Sequence, residues 1–221
     1  MLCIILTFPV KHTLTLTQIN IVVIGIIDIG IGTPKSVFNA FKFLGIDSAL
    51  VTIPKHLNKF EKIVLPGVGN FGAFSFRLAE SGFSEEINKT VHKLNTPFLG
   101  ICVGAQMLLN KSAESSKELG LGLIPGSVIH VDAQSGQKVP NVGWRKIKYF
   151  NEKNPEFKPE YNKFYFSHSY QFDVPRTYLL AETINFKTPA IIKRECIIGV
   201  QFHPEKSGNF GLNFLNDFAS K

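Results

Sequence analysis

Hydrophobic runs alternate with amphipathic segments through the first half of the chain. The run at 21–27 is continuous and rich in β-branched residues, which is typical of a strand buried on both faces. Similar reasoning predicts strands at 49–53, 62–65 and 97–101. Helices are predicted at 34–44 and 71–80. A third helix is predicted to begin after an N-cap at Ser84, and a fourth to run from just after Cys102 to Leu109. Strands that alternate with helices predict a largely parallel sheet covered on both sides.

The second half of the chain has a different pattern, in which short strands dominate. They are predicted at 127–131, 146–150, 164–168, 178–181, 190–193 and 197–202, with a last helix at 209–218. Turns rich in Asn, Pro and Gly separate them. We expect a mixed extension of the same sheet. No segment has the composition of a linker, so residues 21–221 are predicted to form one domain.

The first 20 residues are predicted to be an extension of unknown role. Residues 1–10 are mostly apolar, and the first basic residue, Lys11, follows them. A secretory signal has the opposite order, and the run is too short to cross a bilayer. The sequence leaves three explanations of this segment open. It could be a dispensable extension, it could arise from an upstream start codon taken for the true one, or it could add an edge strand to the sheet.

Charge and cysteine content narrow the possible functions. The net charge is +7, but the lysines are scattered and form no basic run. This distribution favours a solvated surface, or a patch facing an acidic partner, over nucleic-acid binding. Cys3, Cys102 and Cys196 have no spacing typical of disulfides or zinc sites. We therefore expect a cytoplasmic protein with no metal or cofactor, in which one cysteine can act as a nucleophile.

The segment Gly100-Ile101-Cys102-Val103-Gly104 lies between a predicted strand and a predicted helix. It has the pattern of a nucleophile elbow, with cysteine in place of serine. Glycines allow a tight turn there, and the amino end of a helix favours the thiolate. The alternative is a buried cysteine between turn glycines.

A second segment supplies the groups that a thiol nucleophile requires. In GVQFHPE a buried strand ends in a turn that carries His203 and Glu205. His203 is a candidate base for Cys102, and Glu205 is a candidate to orient the imidazole. The alternative is a surface histidine and glutamate in a loop.

A third segment, Leu65-Pro66-Gly67-Val68-Gly69, follows another strand. Its bare backbone N–H groups are candidates to stabilise an oxyanion. A plain turn is the alternative, and a phosphate loop is disfavoured because its Lys and Ser/Thr are absent.

Together the segments LPGVGNFG, PFLGICVGAQMLL, GLGLIPG, PNVGW, FYFSHSY and GVQFHPEKSG resemble those of the class I glutamine amidotransferase family. The resemblance covers about residues 21–219. It implies an α/β, three-layer, flavodoxin-like fold with a mainly parallel central sheet extended by a mixed or antiparallel part. Within the family, the chain looks most like the glutamine amidotransferase subunit of imidazole glycerol phosphate synthase.

The resemblance also implies roles for individual residues. The catalytic residues would be Cys102, His203 and Glu205, and the oxyanion groups Gly67, Val68, Gly69 and Val103. The residues in contact with glutamine would be Gln106, Glu114, Ser169 and Tyr170. Each of these residues could instead have no role in binding. Gln106 could lie on the exposed polar face of the helix after Cys102, and Glu114 could be a solvated carboxylate. Ser169 and Tyr170 could be ordinary residues at the end of a strand.

The resemblance further implies a partner, a (β/α)8 barrel cyclase that receives the ammonia in a heterodimer. Asn141, Trp144, Tyr165 and Lys206 match positions near that interface, although core packing is an alternative for Trp144. The chain departs from the usual family pattern at Ile29, Thr33 and Asn141, which leaves the partner open. A subunit that feeds a sugar amidotransferase for surface polysaccharide is one alternative, and a catalytically silent interaction subunit is another.

Overall fold

The computed structural model describes residues 24–131, 138–150, 160 and 162–221. Its strands are β1 (Ile24–Ile27), β2 (Ser48–Val51), β3 (Lys62–Gly67), β4 (Phe98–Cys102), β5 (Lys111–Ser112), β6 (Ser115–Leu119), β7 (Ser127–His130), β8 (Asn141–Tyr149), β9 (Lys163–His168), β10 (Tyr170–Asp173), β11 (Leu179–Thr183), β12 (Pro189–Arg194) and β13 (Ile197–Val200). Its α-helices are α1 (Pro34–Phe43), α2 (Phe71–Glu80), α3 (Phe83–Leu94), α4 (Val103–Gln106) and α5 (Gly208–Ser220). The predicted extension at residues 1–20 lies outside the described residues.

A nine-stranded sheet organises the molecule, in the order β2-β1-β3-β4-β13-β12-β11-β8-β9. The first five strands of that order are parallel, and the remaining four continue the sheet with antiparallel pairs. A parallel segment in which β1 lies between β2 and β3 has the flavodoxin-like strand order. The predicted α/β fold with an antiparallel extension is confirmed.

The parallel strands are covered on both faces. Every residue of β1, β3, β4 and β13 is buried, which matches their continuous apolar sequences. Helix α1 packs against β1, β2 and β3 and contacts α5, while α2 and α3 pack together. These two pairs of helices are the outer layers that bury the sheet.

The mixed extension is present in the main sheet, but one strand predicted for it, β7, lies outside that sheet with three strands that were not predicted, β5, β6 and β10. They form a second sheet in the order β10-β7-β5-β6. The two-residue strand β5 and the polar strand β6 carry too little hydrophobic pattern to be predicted. This sheet holds the segment that follows the nucleophile turn, so it shapes one side of the site.

Two predicted helix boundaries are wrong. Helix α3 begins at Phe83, and its N-cap is Gly82 in the left-handed region at φ 78°, so Ser84 lies inside the helix. Helix α4 ends at Gln106 and does not reach Leu109. By contrast, α2 spans the residues predicted for it, and Asn70 caps it through a hydrogen bond from Ala73 N.

An aromatic cluster fixes the turn that follows β13. Phe202 stacks on Phe164 with ring centroids 3.9 Å apart and meets Phe214 of α5 edge to face at 5.5 Å. All three side chains are fully buried. Because Phe202 directly precedes His203, this packing anchors that histidine to both β9 and α5.

Candidate active site

The nucleophile turn brings the start of helix α4 into direct contact with the backbone of β3. Cys102 has φ 54° and ψ −111°, an unfavourable conformation for a residue with a side chain. A Cβ placed on Gly104 would lie 1.9 Å from the carbonyl oxygen of Leu65. Glycine is therefore required at 104, since any side chain would push the turn away from β3.

The helix after the nucleophile stops after one turn, and the carbonyl groups of the residues that follow it accept hydrogen bonds from another segment. Leu121 N donates to Met107 O at 2.7 Å, and Ile124 N donates to Leu108 O at 2.9 Å. Gly120 lies so close that a Cβ on it would be 2.0 Å from Leu109 O. One turn provides a weaker dipole than the longer helix predicted from the sequence. The sulfur therefore needs other donors nearby.

His203 and Glu205 form a buried pair. Nδ1 of His203 lies 2.8 Å from Oε1 of Glu205, and both side chains are almost completely removed from solvent. Tyr165 O accepts from His203 N at 2.9 Å, and Ser207 Oγ donates to His203 O at 2.6 Å. The imidazole is therefore held at its ring and at its backbone.

Cys102 lines the same cavity as His203, and its interaction with the imidazole contributes to the pKa of His203, so the three predicted residues form one arrangement. Burial disfavours the imidazolium and lowers its pKa. The hydrogen bonds and the electrostatic attraction of Cys102 and Glu205 outweigh burial and raise the pKa of His203 to about 10. At neutral pH the ring therefore carries a proton that it can donate to a leaving group.

The candidate oxyanion segment lies beside the sulfur. Gly67, the last residue of β3, pairs with Cys102 in the sheet. Val68, Gly69 and Val103 line the same cavity as Cys102 and His203. Gly69 has φ 93°, a conformation that favours glycine. The structure thus brings two glycine-rich turns and the turn that carries His203 and Glu205 to one edge of the sheet.

The predicted glutamine-binding residues surround this cavity, which has a volume of about 530 Å³. Gln106, Glu114, Ser169 and Tyr170 all line it. Glu114 is not a free carboxylate, because its Oε2 accepts a hydrogen bond from Phe71 N at 2.8 Å. That bond ties the cavity wall to the first residue of α2, directly after the oxyanion segment.

The four residues predicted at a partner interface differ in exposure. Trp144 is 45% exposed, and its indole meets the ring of Tyr165 edge to face, with centroids 6.2 Å apart. Lys206 is exposed at the mouth of the cavity. Asn141, however, is fully buried, so this structure does not support a direct interface role for it. Its amide binds His168 instead.

His168 is a residue that the sequence analysis quoted in FYFSHSY but did not single out. Its Nδ1 lies 2.8 Å from Tyr170 O, and its Nε2 lies 2.9 Å from Asn141 Nδ2. A carbonyl only accepts and an amide nitrogen only donates, so the ring is neutral with its proton on Nδ1. Burial lowers the pKa of His168 to about 4, which agrees with the neutral form.

Gln201 is a second functional candidate that the sequence analysis missed. It is fully buried, and its Nε2 donates to the sulfur of Cys102 at a distance of 3.9 Å. An inward-facing polar residue at the end of an apolar strand was the only signal that pointed to it.

A second cavity, of about 510 Å³, lies on the other side of Trp144. Four basic residues line it, namely Lys138, Arg145, Lys146 and Lys163, together with Ile184 and Phe186. Ile184 is 48% exposed. This part of the surface combines positive charge with exposed apolar groups.

Two searches of the described residues found no further class of site. No group of three or more histidine, cysteine, aspartate or glutamate side chains there is arranged to hold a metal ion. No helix among those residues is long and apolar enough to span a bilayer.

The fold and the site define a class of enzyme, an α/β amide hydrolase in which a cysteine on a strained turn is paired with histidine and glutamate. The family model described as glutamine amidotransferase class-I matches residues 25–221. The chain therefore belongs to the class I glutamine amidotransferases, and it is a glutamine-hydrolysing enzyme.

Individual relatives agree with this assignment. Three proteins named imidazole glycerol phosphate synthase subunit HisH are similar to the chain. That of Methanopyrus kandleri is 36% identical, with 88% of this chain and 96% of the relative covered. That of Methanothermobacter thermautotrophicus is 39% identical, with 89% of this chain and 97% of the relative covered. That of Staphylococcus epidermidis is 37% identical, with 87% and 94% covered.

Solved structures support the fold. A crystal structure described as a glutamine amidotransferase superposes with a TM-score of 0.70 at 18% identity, covering 90% of this chain and 99% of the other. A chain of PurLQS from Thermotoga maritima also gives 0.70, at 17% identity, covering 90% and 97%. At such identities the likeness concerns the fold alone.

Proposed function

We propose that this chain is the glutaminase subunit of an imidazole glycerol phosphate synthase. In this role it hydrolyses glutamine and passes ammonia to a (β/α)8 cyclase subunit during histidine biosynthesis in the cytoplasm. The observation that carries the proposal is a buried Cys102, His203 and Glu205 arrangement at the base of a cavity whose mouth adjoins an exposed apolar surface. Identities of 36–39% to proteins named as that subunit support it.

The first half of the reaction uses the cysteine and the imidazole. The Cys102 thiolate attacks the side-chain carboxamide carbon of glutamine and forms a tetrahedral oxyanion. Backbone N–H groups of the segment from Gly67 to Gly69 and of Val103 stabilise that charge. His203 transfers its proton to the amide nitrogen, the C–N bond breaks, and ammonia leaves a thioester on Cys102.

The second half of the reaction restores the enzyme. His203, now neutral, takes a proton from water, which attacks the thioester carbonyl carbon. The C–S bond breaks, glutamate leaves and the thiolate is regenerated beside a protonated imidazole. Glu205 holds the imidazole in one orientation through both steps. The buried position of the pair prevents solvent from competing for that hydrogen bond.

The proposed partner docks on a surface that we call the Trp144 face, made of Val142, Trp144, Ile184 and the basic cavity beside them. Its apolar members are 45–48% exposed. Val142 also lines the active-site cavity, so this face begins at the mouth of the site. Exposed aromatic and aliphatic side chains bordered by charge are typical of a protein interface.

A second candidate is a paralogous subunit that supplies ammonia to a sugar amidotransferase. The observation that favours it is the set of departures from the family pattern around the cavity. Thr33 lines the cavity where the family usually has an amide, and Asn141 occupies a buried position where the family usually has a histidine. These two changes lie at or beside the cavity from which ammonia would pass to a partner.

The test is to isolate the native complex by affinity capture of the full chain and to measure glutamate release with the captured partner. The proposal predicts a (β/α)8 cyclase and a glutaminase rate that rises when its ribulosyl acceptor is added. Capture of a sugar-modifying partner, with stimulation by its sugar substrate, would support the second candidate. Absence of glutamate release in every complex would contradict both.

A further inference from the structure

Gln201 occupies the space between the nucleophile and the cavity wall. It follows β13 directly, precedes the Phe202–His203 turn, and is held by a hydrogen bond from its backbone N to Ala190 O at 3.0 Å. Its side chain is completely buried. Nε2 points at the sulfur of Cys102 from 3.9 Å, which is a long hydrogen bond to sulfur.

A neighbouring glutamine determines which way this amide faces. Nε2 of Gln106 donates to Tyr170 O at 3.1 Å and to Oε1 of Gln201 at 3.3 Å. Tyr170 O is a carbonyl oxygen that can only accept, so Gln106 must present its nitrogen on this side. Gln201 must then present its oxygen to Gln106 and its N–H to the sulfur. The opposite orientation would bring two N–H groups together and leave a carbonyl oxygen against the sulfur.

A fixed donor at this place has a chemical purpose. Hydrogen bonds to a charged form stabilise that form, and the nucleophile is the thiolate. Helix α4 has only one turn, so its dipole contributes less than a full helix would. The buried amide supplies a donor in a region that excludes water, where a hydrogen bond to an anion is strengthened.

We propose that Gln201 is a further catalytic residue, whose amide N–H stabilises the thiolate of Cys102 and whose Oε1 is locked by the glutamine-binding residue Gln106. The inference rests on glutamine hydrolysis at this site and not on the identity of the partner. Because Gln106 contacts both Tyr170 and Gln201, the wall of the substrate cavity and the nucleophile share one hydrogen-bond chain. Substrate that orders Gln106 thereby also orders the donor to the sulfur.

The experiment measures how fast Cys102 is alkylated by iodoacetamide at different pH values. The full chain is used alone, and the Cys102 peptide is followed by mass spectrometry so that Cys196 and Cys3 do not interfere. Gln201→Met removes the donor while keeping the length of the side chain. Gln201→Glu keeps its shape and its acceptor but places a carboxyl group at the sulfur.

Loss of a hydrogen bond to a charged group should lower the alkylation rate at pH 7 by about tenfold in Gln201→Met and raise the midpoint of the pH profile by about one unit. Gln201→Glu should raise the midpoint at least as far. The value of kcat for glutamine should fall by about the same factor in both variants, with KM changed less than kcat. The other titratable and charged groups that surround the sulfur, His203, Glu205, His168, Glu114 and Lys206, are unchanged in all variants.

Gln171→Met is the matched control, because it makes the same change on β10 at a partly exposed residue that does not line the cavity. Its profile should equal that of the wild type. Thermal unfolding identifies any variant that fails to fold, and Gln201→Glu retains the packing if Gln201→Met does not. An unchanged midpoint in a folded Gln201 variant would overturn the proposal, as would a fall in stability with a wild-type profile. Neither measurement needs a partner or an acceptor, so failure here is distinct from failure of the partner assignment.

Discussion

The parallel part of the sheet and its antiparallel extension differ in how their strands meet solvent. Strands β3, β4 and β13 are buried along their whole length. In β8 buried residues such as Ile147 alternate with exposed ones such as Trp144. A strand covered on both faces holds its carboxyl end rigidly, whereas a half-covered strand can offer side chains to another protein. The candidate catalytic residues and the surface proposed for the partner therefore lie on different parts of one sheet.

The sharpest test of the parallel part is Cys102→Ala. Removal of the nucleophile should reduce glutamine hydrolysis by at least about 10³-fold, as found when a nucleophile is deleted from other hydrolases. Glutamate release measures the loss. Synthesis supported by added ammonia should continue at the wild-type rate in the complex. Loss of both activities would mean that the cysteine mainly maintains the structure.

Gly104→Ala tests the backbone contact between β3 and α4. The new methyl group would overlap Leu65 O, so the free energy of unfolding should fall by about 3 kcal/mol or more. Gly45→Ala is the control, since Gly45 has φ 70° but open space around it, and it should cost only about 1–2 kcal/mol. Urea unfolding measures both changes. Equal losses would show that the contact at Gly104 is unimportant.

The pH dependence of stability due to His168 tests the antiparallel part of the sheet where it borders the active-site cavity. Burial lowers its pKa from 6.5 to about 4, so the unfolded chain binds a proton at a higher pH than the folded one. Stability attributable to this group is therefore lost as the pH falls from about 7 to 4, by roughly 2–3 kcal/mol. His168→Gln removes the titration, and the difference in unfolding free energy between variant and wild type should change with pH accordingly. A constant difference would contradict a buried neutral ring.

His203 should behave in the opposite way, because its pKa is raised to about 10. A raised pKa means that the folded state holds the proton more tightly. Its contribution to stability is fully present below pH 6.5 and disappears as the pH rises toward 10. Comparing His203→Asn with the wild type at pH 6.5 and pH 10 measures this change. A difference that grows with pH would contradict the assigned hydrogen bonds to Cys102 and Glu205.

Trp144→Ala should have the smallest effect on the chain itself and a selective effect on assembly. The indole is almost half exposed, so stability should change little, whereas the Kd of the partner complex should rise roughly 10- to 30-fold. Leu119→Ala is the control, because Leu119 is an exposed apolar residue on β6, away from the Trp144 face. Titration calorimetry with the partner measures both. If both variants raised the Kd of the partner complex equally, the Trp144 face would not be a distinct binding surface.

Much of the parallel part could be predicted from sequence, because its signals are local. Continuous apolar runs identify β1, β3 and β4, and the glycines around Cys102 identify the tight turn. The length of α4 could not be predicted, since Met107 and Leu108, which follow it, bind Leu121 and Ile124 through their carbonyl groups, and local sequence does not show these contacts. Strands β5 and β6 were missed for a similar reason, because pairing and not hydrophobic pattern defines them.

The sequence by itself determined the positions of the two glycine-rich turns, and of the turn that carries His203 and Glu205, together with the candidate catalytic residues on them. Turn geometry depends on neighbouring residues, and only glycine tolerates such close backbone contacts. The tertiary structure decided that Asn141 is buried, that Glu114 is bound to α2, and that Gln201 faces the sulfur. These facts depend on side chains that are distant in sequence and meet only when the sheet aligns its strands.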